Sequence, residues 1–279
     1  MTKSKYTLSD TDTILHCGHT LRRILYVDGV KGGYAEKYSN LSQTGTCKIL
    51  GDAKVFDDAK VFDDAWVCGN VKVYGDARIS DNAKVFDDAR VFDDARVFDD
   101  ARVSDNPRVY GDAKVFGYAK VFGYADIYGD ATISGNTNVS GNARVSGNAK
   151  VFDKAQVFGS AMVFGNAMVF GNAIVFGYAM VSGNAKVSGN VKVFDDAWVS
   201  GDAVIYNDVW VFGDAEVYGD AKVFDDAWVC GSAKVYGAAR VSDNAQVYGD
   251  TKVFGDAKVL GGMKVHNRVL SGPNPFALV

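Results

Sequence analysis

The sequence predicts an all-β fold, a single-stranded β-solenoid closed into a triangular β-helix of about twelve 18-residue coils. Three observations predict it: a six-residue repeat, alternation of inward and outward residues, and a pair of turn-forming residues ending each repeat. The repeat runs from Cys47 to Arg268 without insertion or deletion. We therefore divide the chain into an N-terminal cap (1–46), the β-helix (47–268) and a C-terminal tail (269–279).

Each repeat reads small–x–aliphatic–x–turn–turn, as in AKVFDD, AKVYGD and ARVSGN. Four alternating residues followed by two corner residues describe a short strand and a bend, with Ala and Val facing inward. The aliphatic slot is Val or Ile from Ile49 to Val265. The corner slots hold mostly Gly, Asp and Asn, which tolerate the backbone angles of a sharp corner.

Exceptions to Ala in the small slot favour three sides for each coil. They are Cys47, Val71, Pro107, Thr137, Val191, Val209, Thr251 and Met263. In steps of 18 residues, none falls on the face that holds Ala59, Ala77 and Ala95. Coils stacked about 4.8 Å apart would give a rod on the order of 60 Å long.

The repeat resembles that of the hexapeptide-repeat superfamily, and the resemblance covers about four-fifths of the chain. It implies a left-handed triangular β-helix; the left hand comes from the resemblance alone, because general crossover rules favour the right hand. The segment GGYAEKYSNLSQTG is similar to bacterial and prophage-encoded hexapeptide-repeat proteins of largely unknown role.

The two ends depart from the repeat. TILHC and TLRRILYV read as short strands of a cap, followed by a turn at Gly32-Gly33, and a cap protects strand edges that would otherwise aggregate. In the tail, Pro273 and Pro275 cannot continue a ladder. Phe276 and Leu278 either fold over the last coil or stay loose.

Composition excludes several classes of function. A net charge of −4 argues against nucleic acid as a partner, and no apolar run reaches the roughly 18 residues that span a bilayer. The first twenty residues lack the apolar core of a signal peptide, and four scattered Cys form no disulfide framework. We expect a cytoplasmic protein with no membrane contact.

An acyltransferase is the enzyme class to test, because the resemblance implies a His general base and loops that shape an acceptor site. The chain has only His16, His19 and His266, and its coils carry no inserted loops. His16 and His19 have a metal-like spacing, but we interpret them as cap residues. We expect no catalytic residue and no cofactor; a degenerate acyltransferase using His16 or His19 is the alternative.

One corner of a three-sided coil would carry a column of aspartates: Asp58, Asp76, Asp94, Asp112 and Asp130. Like charges one coil apart repel by roughly 1 kcal/mol in water, so the column needs compensation. We favour a salt-bridge lattice with the flanking Lys and Arg columns. The weaker alternatives are a surface that mimics an acidic polymer and a cation ladder, for which Ca²⁺ would prefer six to eight oxygen ligands.

Residues 155–185 contain no charged side chain. The outward slots there hold Met162, Met168, Ile174, Met180, Phe158, Phe164, Phe170 and Phe176. Contiguous exposed apolar surface marks interfaces, and Met makes adaptable contacts. We favour an interface over simple packing between coils, and call this stretch the apolar girdle.

Trp210 and Trp228 lie 18 residues apart in the same outward slot. Such a pair either stacks a sugar or anchors a partner, or else stacks on itself. The sequence thus predicts a non-catalytic structural or binding rod, a homo-oligomer or one with a protein partner. A carbohydrate-binding surface is a further alternative.

Overall fold

The computed structural model describes residues 4–272, so the predictions for Pro273, Pro275, Phe276 and Leu278 lie outside the described residues. The predicted fold class is confirmed: the chain is an all-β parallel β-solenoid with 18-residue coils and a small N-terminal cap. The chain divides into two compact units, Met1–Asn136 and Thr137–Val279.

The first unit contains three long strands of the cap, a 3-10 turn at Tyr38–Asn40, and short strands of the coils. In chain order the strands are β1 (Tyr6–His16), β2 (His19–Tyr26), β3 (Lys31–Ala35), β4 (Lys48–Ile49), β5 (Lys54–Val55), β6 (Lys60–Val61), β7 (Trp66–Val67), β8 (Lys72–Val73), β9 (Arg78–Ile79), β10 (Lys84–Val85), β11 (Arg90–Val91), β12 (Arg96–Val97), β13 (Arg102–Val103), β14 (Arg108–Val109), β15 (Lys114–Val115), β16 (Lys120–Val121), β17 (Asp126–Ile127) and β18 (Thr132–Ile133).

The second unit consists of coil strands throughout its described residues. They are β19 (Asn138–Val139), β20 (Arg144–Val145), β21 (Lys150–Val151), β22 (Gln156–Val157), β23 (Met162–Val163), β24 (Met168–Val169), β25 (Ile174–Val175), β26 (Met180–Val181), β27 (Lys186–Val187), β28 (Lys192–Val193), β29 (Trp198–Val199), β30 (Val204–Ile205), β31 (Trp210–Val211), β32 (Glu216–Val217), β33 (Lys222–Val223), β34 (Trp228–Val229), β35 (Lys234–Val235), β36 (Arg240–Val241), β37 (Gln246–Tyr248), β38 (Lys252–Phe254), β39 (Lys258–Val259), β40 (Lys264–His266) and β41 (Val269–Ser271).

In each unit every third coil strand pairs in parallel, so each coil has three sides. In the second unit, for example, β26 pairs with β29 and sets Met180 beside Trp198, a step of 18 residues. The last pairing, β38 with β41, joins Lys252 to Val269, so the step between these two strands is one residue shorter than in the other coils. The regular step keeps equivalent residues of successive coils in columns along each side.

The cap covers the start of the first unit. Strands β1 and β2 form an antiparallel hairpin, β2 pairs antiparallel with β3, and β3 pairs in parallel with β5. Isolated bridges join Gly32 to Leu50 and Leu41 to Val61, so the cap meets strands on all three sides. The backbone hydrogen-bonding groups at the edge of the first coil are therefore paired with the cap and not left open.

The predicted turn at Gly32-Gly33 is wrong, because both residues lie inside β3. The hairpin turn precedes them, where the Gly29 N–H donates to the Tyr26 carbonyl at 3.0 Å. Glycine is needed in β3 for close packing instead: a Cβ on Gly33 would lie 2.5 Å from the Ala53 carbonyl oxygen. The two glycines let the cap strand approach the first coil.

Small and aliphatic side chains fill the interior of both units. The coil alanines and valines are almost all fully buried, as in Ala95, Val97, Ala167 and Val169. The residue between them faces outward, because side chains alternate along a strand. The predicted inward and outward assignment is confirmed, and the chemistry available to other molecules lies on the outer surface.

The first corner residue of every repeat has a left-handed backbone. From Gly51 to Asn267 its φ lies between 50° and 91°. Glycine adopts this region freely, and Asp and Asn are the side-chain-bearing residues that tolerate it best. This requirement explains why only Gly, Asp and Asn occupy that slot.

Candidate functional site

The structure distributes the apolar girdle over all three sides of the second unit. Met162 and Met180 lie on one side, Met168 on the second and Ile174 on the third, and each is half-buried. Phe164 follows Met162 on the first side, Phe170 follows Met168 on the second, and Phe158 and Phe176 lie on the third. The girdle is therefore three patches that differ in their neighbours.

On the third side, aromatic stacking covers the faces of the phenylalanine rings. Phe158, Phe176, Phe194 and Phe212 form one column with ring centroids 5.1, 4.9 and 5.0 Å apart. These are favourable offset-stacking distances, and they leave mainly ring edges exposed. Here the packing alternative describes the phenylalanines well.

The first side has the longest apolar run, and we call it the Met180 face. Its outward residues, one per coil, are Arg144, Met162, Met180, Trp198, Glu216, Lys234 and Lys252. Trp198 is 41% exposed, and its Nε1 donates to Ser182 Oγ at 3.1 Å, which fixes the indole. Three successive apolar side chains thus lie between charged neighbours on this face.

The other two sides interrupt their apolar residues with lysine. On the second, Met168 lies between Lys150 and Lys186. On the third, Ile174 lies between Gln156 and Lys192. Trp198, outside the charge-free stretch, extends the patch only on the Met180 face. Sequence reasoning missed that extension because it followed chain position instead of coil columns.

Trp210 and Trp228 stack on each other on the third side. Their ring centroids are 5.2 Å apart with an interplanar angle of 5°, and Lys192 Nζ lies 4.4 Å from the Trp210 ring centroid. Phe194 and Phe212 meet the indoles edge-on at 6.2 Å. A sugar stacks on an open ring face, and this arrangement uses much of the faces internally. The geometry favours self-stacking.

The aspartate column does not form the expected salt-bridge lattice. Lys37 of the cap lies 2.7 Å from Asp58, and this hydrogen bond lowers the pKa of Asp58 and raises that of Lys37. Within residues 4–272, Asp76, Asp94, Asp112 and Asp130 have no Lys or Arg nitrogen within 4 Å. The corner directs these carboxylates into solvent, away from the lysines and arginines at mid-strand, so water and salt must screen them.

Metal-binding geometry occurs elsewhere, at the junction of the cap with the first coil. His19, Glu36 and Asp57 place ligand-type atoms within 4.8 Å of one another, and the part of the chain that the structure describes contains no other such group. Sequence reasoning missed Glu36 and Asp57, since only docking of the cap brings them to His19.

Two hydrogen bonds and one ion-pair contact already account for the His19 cluster. Nδ1 of His19 lies 3.0 Å from Glu36 Oε1, and Nε2 lies 3.3 Å from Asp57 Oδ1. Glu36 Oε2 also accepts from the Asp57 backbone N–H at 2.7 Å. The Glu36 hydrogen bond raises the pKa of His19 above its ordinary value. His19 thus lies between two carboxylates, an arrangement that fastens the cap to the coil.

His16 has a different environment, although it lies beside His19 in the hairpin. Its ring meets Phe56 edge-on with centroids 5.6 Å apart, and burial lowers its pKa. His19 also contacts Phe56, at 5.2 Å. The two histidines pack on the end of an aromatic column that continues through Tyr74 and Phe92.

A shallow groove of about 550 Å³ runs along one side of the first unit. Its basic residues are Lys54, Lys72, Arg90 and Arg108, and Asp88 lies among them. Arg108 makes two 2.7 Å hydrogen bonds to Asp126, which are bidentate and charge-assisted. The acidic groups beside the cationic column make its surface mixed in charge.

The fold defines a class, the parallel β-solenoids, whose stacked coils expose flat faces. Compared with known proteins, the chain matches no protein-family model and no curated protein. Among the described residues, no helix is long and apolar enough to cross a membrane.

Proposed function

We propose that this chain is a non-catalytic structural or binding solenoid that associates with copies of itself through the apolar girdle. We further propose that it is a cytoplasmic member of the hexapeptide-repeat superfamily, of bacterial or prophage origin, as the repeat and the GGYAEKYSNLSQTG segment suggest.

One observation carries the proposal: the outward slot that holds Lys or Arg in most other repeats holds Met162, Met168, Ile174 and Met180 here. Exposed charges on a β-surface keep proteins apart, and this stretch has none. Fully burying a Met or Ile side chain is worth about 1.5–3 kcal/mol, and these half-buried side chains retain part of that gain for an interface. A second copy offers the same apolar surface in return.

The state of the histidines supports a non-catalytic role. A general base needs a free nitrogen directed at a substrate proton, whereas both ring nitrogens of His19 face carboxylates. The ring of His16 packs on Phe56. The degenerate acyltransferase is therefore the weaker candidate, and it would require coenzyme A or an acyl acceptor to bind.

The test places lysine at all four girdle positions, as Met162→Lys, Met168→Lys, Ile174→Lys and Met180→Lys. We expect the unmodified chain to sediment as an oligomer and this variant as a monomer. A matched control adds the same charge in the same slot outside the girdle, with Thr132→Lys, Asn138→Lys, Val204→Lys and Gln246→Lys, and should still assemble.

Two results would overturn the proposal. One is an unmodified chain that is monomeric at every accessible concentration. The other is a girdle variant that assembles as well as the control does. Repeating the sedimentation with a chelator tests separately whether the aspartate column or the His19 cluster uses a cation in assembly.

A further inference from the structure

Charges on the Met180 face are arranged with opposite signs about Met180. Arg144 lies two coils before Met180 and Glu216 two coils after it, while Met162 and Trp198 occupy the positions between. Reversing the order of this column therefore sets basic against acidic and apolar against apolar. A surface with that property is complementary to itself in the antiparallel orientation.

We infer that two copies associate face to face through the Met180 face, antiparallel, about a two-fold axis that passes through Met180. This rests on the proposed self-association and names the side and register that carry it. Arg144 of each copy then meets Glu216 of the other, and Met162 meets Trp198. The two Met180 side chains meet on the axis.

Other registers and orientations lack this match. Moving the axis half a coil, to between Met180 and Trp198, brings Arg144 against Lys234 and Met162 against Glu216. Moving it to Trp198 sets Met180 against Glu216 and Arg144 against Lys252. A parallel arrangement sets every charge against its own copy. Like-charge contacts across an interface cost several kcal/mol, so the Met180 register is favoured.

An antiparallel two-fold axis gives no such charge match on the second side of the unit. An axis through Met168 brings Lys150 against Lys186, two like charges next to the centre. On the third side an axis through Ile174 brings Gln156 against Lys192, with no opposite charge to compensate. The Met180 face alone combines an apolar centre with opposite charges at its ends.

Arg144 and Glu216 are available for this contact. Arg144 is exposed, and within residues 4–272 no acidic side chain lies within ion-pair distance of it. Lys234 Nζ bonds Glu216 Oε1 at 2.9 Å, while Glu216 Oε2 has no hydrogen bond to another described residue. Arg144 of a second copy can donate a hydrogen bond to Glu216 Oε2 and complete a Lys–Glu–Arg cluster.

Two exposed aromatic residues also meet under this symmetry. Tyr178 precedes Met180 by two residues at the edge of the face and is 67% exposed. The axis lies between the two facing sheets and runs along their strands, so it keeps each residue at the same end of its strand. Tyr178 belongs to the same coil as Met180, through which the axis passes. Tyr178 of one copy therefore packs against Tyr178 of the other.

Charge reversal tests the register. Arg144→Glu alone and Glu216→Arg alone each set like charges together at two symmetry-related places, so self-association should weaken on the order of tenfold to hundredfold. The double variant Arg144→Glu/Glu216→Arg restores opposite charges between copies and should recover most of the affinity. Sedimentation equilibrium measures all four proteins, and circular dichroism checks that each is folded.

Cross-linking tests the face. Opposed sheets lie about 10 Å apart, so a short bismaleimide can join two cysteines on the axis. Met180→Cys should cross-link into dimers well above the background of the unmodified chain, whose native cysteines set that background. Met168→Cys and Ile174→Cys, in the same slot on the other two sides, should not.

The outcomes separate this inference from the proposed function. A monomeric unmodified chain overturns both. An oligomer in which the double reversal is as weak as the single reversals, or in which Met168→Cys cross-links as well as Met180→Cys, overturns the antiparallel Met180 contact alone. Rescue by the double variant together with selective cross-linking at Met180 supports it.

Discussion

Asp105 and Gly123 are joined along a corner of the first unit by a hydrogen bond in which the Gly123 N–H donates to Asp105 Oδ2 at 3.0 Å. Asp105 makes this contact from a left-handed backbone with φ of 67°. The pattern recurs where Gly111 donates to Asp93 and Gly117 to Asp99. Corner aspartates therefore offset their backbone strain by binding the next coil.

Replacing Asp105 tests whether its hydrogen bond to the next coil offsets the strain of its left-handed backbone. Asp105→Ala keeps a side chain in the left-handed region and loses the acceptor, so we expect a loss of about 1–2 kcal/mol in unfolding free energy. Asp105→Asn keeps an acceptor oxygen and should lose less. Asn106→Ala, at the next and exposed corner position, is the control and should stay within about 0.5 kcal/mol. Urea unfolding gives the ranking, and equal effects at both positions would contradict the argument.

The interior and the corners could be predicted from the sequence because both are local. Alternation fixes which of Ala95, Arg96 and Val97 faces inward, and a left-handed corner restricts residue type wherever it occurs. Three sides were favoured, though not fixed, by the exceptions to alanine in the small slot, none of which falls in the column of Ala59 and Ala77. The apolar girdle could also be read from the chain, as a run without charge.

Contacts between coils and with the cap were beyond sequence reasoning, since they depend on where side chains point. The aspartate column and its flanking lysines are close in sequence, yet the corner turns Asp94 away from Arg96. His19 finds Glu36 and Asp57 only when the cap docks. The opposite charges of Arg144 and Glu216 lie four coils apart in one column, and their relation about Met180 is visible in the sequence only after residues are grouped by column.

Thr137 and Thr251 occupy the same inward slot but differ in hydrogen bonding. Both are fully buried; the Thr251 hydroxyl donates to the Tyr248 carbonyl at 2.7 Å, whereas Thr137 Oγ1 has no hydrogen-bond partner among the described residues. Valine has the same shape and fits this slot, as at Val191. We expect Thr137→Val to stabilise the protein by about 1 kcal/mol and Thr251→Val to destabilise it by about 1 kcal/mol. Thermal unfolding measures both, and effects of the same sign would contradict the assignment.

His19 and His16 should give the cap opposite dependences on pH. The pKa of His19 is raised, so its stabilising contribution is complete below its unfolded pKa of about 6.5 and is lost as pH rises through the folded value. The pKa of His16 is lowered by burial, so its contribution is present above about 6.5 and is lost as pH falls through the folded value.

Melting temperatures of His19→Gln and His16→Gln between pH 5 and 9, each compared with the unmodified chain, separate the two residues. The deficit of His19→Gln should be largest at acidic pH and shrink toward alkaline pH. The deficit of His16→Gln should grow in the other direction. Hydrogen exchange in β2 and β3 reports the cap directly, and parallel slopes for the two variants would argue against this account.

A ladder of asparagine side chains along one corner of the second unit has a direction. Asn148 Nδ2 donates to Asn166 Oδ1 at 3.2 Å, Asn166 to Asn184 at 3.0 Å, and Asn184 to Asp202 Oδ1 at 2.9 Å. Asn166 and Asn184 each accept one hydrogen bond and donate the next, while Asp202 only has to accept. Asn172, Asn190 and Asp208 repeat the order at another corner.

Asparagine and aspartate therefore should not be interchangeable along this ladder. Asn166→Asp removes the donor to Asn184 and opposes two oxygens, so we expect a loss of about 1–2 kcal/mol in unfolding free energy at neutral pH. Asp202→Asn keeps the accepting oxygen and should change stability by less than about 0.5 kcal/mol. Urea midpoints compare the two isosteric changes. A carboxyl group can donate a hydrogen bond once it is protonated, so the loss of unfolding free energy in Asn166→Asp should shrink at acidic pH. A loss that is the same at every pH would contradict the role given to charge and donor capacity at this corner.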